Sequence, residues 1–102
     1  MPKLELLQET TSQICHDIFK GQKLIVPDFI TLKKRLSTKI QQLLSSDINQ
    51  LLNILYRLDV SESKVKQAFK LMTEEEIANQ LAILIIHRVK QKVEIRNKYS
   101  GK

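Results

Sequence analysis

A chain of 102 residues suffices for one domain with a modest core, and its balance of 42% hydrophobic to 27% charged residues excludes a disordered segment. The longest unbroken apolar run, Leu81–Ile86, is far short of the about 20 residues that cross a bilayer, and the acid-punctuated start MPKLELLQE does not read as a signal peptide. The net charge of +6 points to acidic partners or nucleic acid, and Cys15, the sole cysteine, excludes an internal disulfide and fits a reducing cytoplasm.

The first helix is expected from about Leu4 to Lys20. Leu4, Leu7, Thr11, Ile14 and Ile18 recur at three- and four-residue steps, and Gly21 follows where a C-terminal cap belongs. Residues 21–27 form a linker, because Pro27 pushes Val26 toward extended geometry. Asp28 caps a second helix, with Val26 packing back as a staple. Its buried stripe is Phe29, Leu32, Leu36, Ile40, Leu43 and Leu44.

Ser45-Ser46-Asp47 breaks that pattern and caps a third helix bearing Ile48, Leu51, Leu52, Leu55 and Leu58. Ser61 caps a short fourth helix with Val65, Ala68, Phe69 and Met72. Thr73-Glu74-Glu75-Glu76 has the form of a capping box, with acids matched to the positive end of the helix dipole. The helical pattern then continues to about Tyr99. The reading is an all-α fold, a compact bundle of about five helices in one domain over 1–102, with a long C-terminal helix over about 73–99.

That last helix would span about 40 Å, so it runs the length of the domain or protrudes from it. Leu81–Ile86 covers every side of the helix, which predicts burial all round over residues 77–86. Beyond it the apolar positions narrow to Val89 and Val93, which continue a coiled-coil-like seam from Ala82 and Ile86, flanked by Arg88, Lys92 and Arg96 at four-residue steps. Residues 87–102 carry Arg88, Lys90, Lys92, Arg96, Lys98 and Lys102 against Glu94 alone. Core packing is the plain account of the seam. The sharper account is an interface through Ile83, Ile86, Val89, Val93, Arg88, Lys92 and Arg96, used by a protein partner or by a second copy in a homodimer.

Catalytic chemistry finds little support. Cys15 and His16 point about 100° apart on a helix, His87 lies opposite the main apolar stripe, and no pair has metal-ligand spacing. The acids Asp47, Asp59 and Glu62 sit at helix ends, where carboxylates cap. Two glycines cannot build a phosphate loop. The chain is read as a non-enzymatic protein with no cofactor, no metal and no evident small-molecule ligand.

Nucleic acid is the rival partner. Residues 51–70 resemble a helix-turn-helix: Ile54 and Leu58 on the first helix, a turn at Asp59-Val60-Ser61, then Val65 and Ala68. The resemblance implies that Ser61, Ser63, Lys64 and Lys66 face the major groove, while Lys70 and the basic C-terminus contact phosphate. Asp59 replaces the glycine usual in that turn, and Leu55 the usual small residue.

Leu55-Tyr56-Arg57-Leu58-Asp59-Val60, the Ile-rich stretch and the basic run from Arg88 through Arg96 to Tyr99 resemble a group of small bacterial proteins of unknown function, over roughly residues 37–99. The resemblance implies a cytoplasmic helical protein and supplies no activity or site. The function expected from the sequence is a protein–protein interaction module acting through the C-terminal helix, with a DNA-binding protein as the alternative.

Overall fold

A computed structural model describes residues 2–99, so Lys102 of the basic C-terminal segment lies outside the described residues. Five helices follow one another: α1 (Lys3–Ile18), α2 (Phe29–Ser46), α3 (Ile48–Arg57), α4 (Glu62–Phe69) and α5 (Glu74–Tyr99). Among the described residues there is no strand, and no helix is long and apolar enough to cross a membrane.

Local chemistry sets the boundaries. At the end of α1 the chain reverses through two residues at positive φ, Lys20 at 54° and Gly21 at 81°. The Gly21 amide donates back to the Cys15 carbonyl at 2.9 Å, so α1 stops at Ile18, two residues before the expected end. Asp28 caps α2 as expected, its carboxylate accepting from the Thr31 amide at 2.7 Å. The hydrogen bond holds the Asp28 carboxyl below its ordinary value of 3.8. Ser45 and Ser46 do not break α2. Their hydroxyls donate back to the Gln41 and Gln42 carbonyls, and the break falls at Asp47, which caps α3 through the Gln50 amide.

Two expected caps are altered. Ser61 precedes α4 but its hydroxyl faces Ser63 Oγ at 3.2 Å instead of a backbone amide. Thr73 accepts from the Glu76 amide at 3.1 Å, as the capping box requires. The Glu76 carboxylate accepts from the Thr73 hydroxyl rather than reaching the Thr73 amide.

The core lies between α5 and the helices laid against it. α5 packs mainly on α2, then on α1 and α4, while α3 packs on α2. Ala78, Leu81, Ala82, Ile85, Val89 and Val93 of α5 are closed off against Ile14, Ile18, Leu32, Leu36 and Ile40. Removing each large side chain from water contributes about 1.5–3 kcal/mol. A hydrogen bond from the Ser37 hydroxyl to the Asn79 side-chain carbonyl joins α2 to α5 within this packing. The molecule measures 42 × 27 × 21 Å, so α5 runs along its long axis.

Burial all round over residues 77–86 does not hold. Ile83 is 44% exposed and Leu84 half-buried, because the helices around α5 cover the stripe through Ala82, Ile85 and Val89 and leave the opposite side open. The end of α5 does not protrude: α1 packs along the side that bears Val89 and Val93, with Asn97 donating to Glu9 at 3.0 Å across the two helices, while His87, Gln91, Glu94, Ile95, Arg96 and Lys98 stay exposed.

Candidate interaction surfaces

The seam expected on α5 is core. Ile86, Val89 and Val93 are buried against the chain's own helices, at 7%, 0% and 0% exposure, which leaves only Ile83 of the four apolar candidates at the surface. Of the basic flank, Arg96 is exposed and Lys92 half-buried. Arg88 is occupied within the chain. Its guanidinium donates to Asp59 at 3.2 Å and to Gln91 at 3.4 Å, tying α5 to the turn between α3 and α4. An apolar stripe marks a buried line whatever covers it, and here α1 and α2 cover it.

The turn after α3 resolves the departure at Asp59. Asp59 stands at φ 60°, the left-handed conformation that a glycine would otherwise supply. Its amide donates to the Tyr56 carbonyl at 3.1 Å, and the Val60 amide to the Leu55 carbonyl at 3.2 Å. These paired bonds make a Schellman ending, with buried Val60 and Leu55 as the apolar contact that accompanies it. Helix, left-handed turn and helix therefore follow in the order the helix-turn-helix resemblance implies. Ser61, Ser63, Lys64, Lys66 and Lys70 are all exposed.

A feature absent from the sequence expectations lies beside that turn. On α3, Ile48, Leu52 and Tyr56 are 41%, 43% and 81% exposed, at successive four-residue steps. The opposite side of the helix is closed, with Leu51, Ile54 and Leu55 buried. Because α3 rests on α2 while α4 rests on α5, a groove of about 500 Å³ opens between α3 and α4. Leu52, Tyr56, Val65 and Phe69 form its apolar walls, with Glu62 and Lys66 among the polar side chains at its edge. The spacing in the sequence puts Ile48 and Leu52 on one side with Leu51, Leu55 and Leu58, whereas the structure buries the last three and exposes the first two. The available signal was that α3 carries apolar residues over too wide an arc for one buried face.

The remaining candidates for chemistry are scattered. Cys15 is buried in α1, and His16 and His87 are exposed on different helices. Among the described residues no group of three or more His, Cys, Asp or Glu side chains is placed to hold a metal. No family model, curated protein or solved structure matches the chain.

Proposed function

We propose that the chain is a non-enzymatic protein-binding module whose contact face is the groove between α3 and α4. The observation that supports this is the exposed ladder Ile48–Leu52–Tyr56, on a helix whose other face is already satisfied by the core. The occupant is an amphipathic helix of a partner protein, laid in the groove with apolar anchors at helical spacing. Asp59, Glu62 and Lys66 at the edge of the groove present both signs of charge to the flanks of that helix. The single, buried Cys15 suits a cytoplasmic setting.

A photo-crosslinking residue at position 56 tests the reading in cells. One discrete protein is expected to be captured there, not captured from position 34 on the exposed side of α2, and lost on Leu52→Glu. Equal capture at both positions, or capture that survives Leu52→Glu, contradicts it. If that protein is a second copy, the monomer mass of 11.9 kDa doubles in sedimentation equilibrium.

Duplex DNA is the second reading, favoured by the left-handed Asp59 turn ahead of exposed Ser61, Ser63, Lys64, Lys66 and Lys70. Glu62 and Tyr56, exposed beside them, place an anion and an apolar ring where phosphate would approach. A gel shift at about 50 mM salt that falls steeply with added salt and is abolished by Lys64→Glu with Lys66→Glu would support DNA. No shift at that salt removes it.

A further inference from the structure

Of the five helices, α4 is held least. Of its eight residues only Ala68 is buried, whereas the ten-residue α3 buries Leu51, Ile54 and Leu55. Val65 and Phe69 are half-buried, and both line the groove, so part of their surface already faces away from the core. α4 packs on α5, and the groove lies between it and α3.

The two ends of α4 are anchored unequally. Before it, Val60 is buried and Asp59 is tied to Arg88 of α5 at 3.2 Å. The Ser61 hydroxyl faces Ser63 and caps no backbone amide. After it, Lys70, Leu71, Met72 and Thr73 are all exposed, Met72 by 94%. An eight-residue helix is marginal in isolation, so its stability must come from packing. Segments with few buried apolar contacts open at a lower free energy than the core. Release of α4 takes one buried alanine out of the core and leaves the packing of α1 and α2 along α5 in place.

We propose that α4 is a movable wall of the α3–α4 groove. It leaves α5 as a unit, turning about the Asp59–Val60 turn, while the rest of the bundle stays folded. The inference deepens the protein-binding reading, on which its purpose rests, because a wall that yields widens the groove beside Leu52 and Tyr56 for a partner helix.

Native-state hydrogen exchange of the full, free chain in increasing urea tests the movement without a partner. The amides of Val65–Phe69 are expected to share one opening that depends weakly on urea. After correction for intrinsic rates they should exchange about a hundredfold or more faster than those of Leu36, Ile40, Leu81 and Ile85. Ile40 lies in α2, which packs on α3 and α5, and it stays packed when α4 is released. Ile40→Val should therefore speed exchange of the α2 and α5 core amides by about two- to tenfold and leave the α4 amides unchanged. Amides of α4 that exchange as slowly as those of α5, or that Ile40→Val accelerates together with them, would overturn the proposal, because α4 would then open only with the whole bundle. So would protection that decays residue by residue toward Phe69, which is fraying of a helix end. Capture at position 56 reads the partner and these rates read the wall, so the two readings fail separately.

Discussion

Asp59 shows how one residue can be placed by backbone geometry rather than by its charge. Its φ of 60° ends α3, while its carboxylate is 82% exposed and pairs with Arg88 in water. An exposed pair contributes about 0–1 kcal/mol, whereas a β-carbon without a local hydrogen-bonding group costs about 1–2 kcal/mol in the left-handed region. Asp59→Ala should therefore destabilise by about 1–2 kcal/mol in urea titration, and Asp59→Gly should stay within about 0.5 kcal/mol of the parent. Equal losses in both variants would instead place the cost in the Arg88 pair. Asp28 makes a second residue-scale case, through pH. Its folded carboxyl titrates below 3.8 because the ionised form accepts from Thr31, so its stabilisation is complete above the unfolded value. That stabilisation is lost as pH falls through the folded value. Asp28→Asn keeps a capping side chain but removes the titration, and should flatten the fall in melting temperature below about pH 4.

At the scale of elements, the helices were largely legible in the sequence because capping chemistry is local. Asp28, Asp47 and Thr73 each accept a hydrogen bond from the amide three residues on, the signature a reader can find without knowing the fold. Which face of a helix meets which neighbour is not local. The Ile86–Val89–Val93 line reads equally as core or interface, and only the placement of α1 along α5 decides for core. Leu52 reads as core from its spacing, yet lies exposed because α3 rests on α2 through a different arc. The Ser37–Asn79 bond is another nonlocal feature, joining residues 42 apart in the chain. Asn79→Ala strands the buried Ser37 hydroxyl and should cost about 1–3 kcal/mol, with Ser37→Ala in the same chain recovering part of the loss. Strict additivity of the two losses would show that the bond couples nothing.

For the molecule as a whole, the account rests on a division of apolar surface. The long helix α5 turns its stripe inward and holds the bundle together, and the shorter α3 turns part of its stripe outward. A surface apolar side chain can be exchanged for a charge at small cost, whereas an unpaired charge forced into a closed core breaks the fold. Urea unfolding of Leu52→Asp and Val93→Asp measures that division directly. Leu52→Asp is predicted to unfold cooperatively within about 1 kcal/mol of the parent, and Val93→Asp to be unfolded without denaturant. A folded Val93→Asp protein, or a Leu52→Asp protein that fails to fold, would mean that α5 rather than α3 presents the free apolar face.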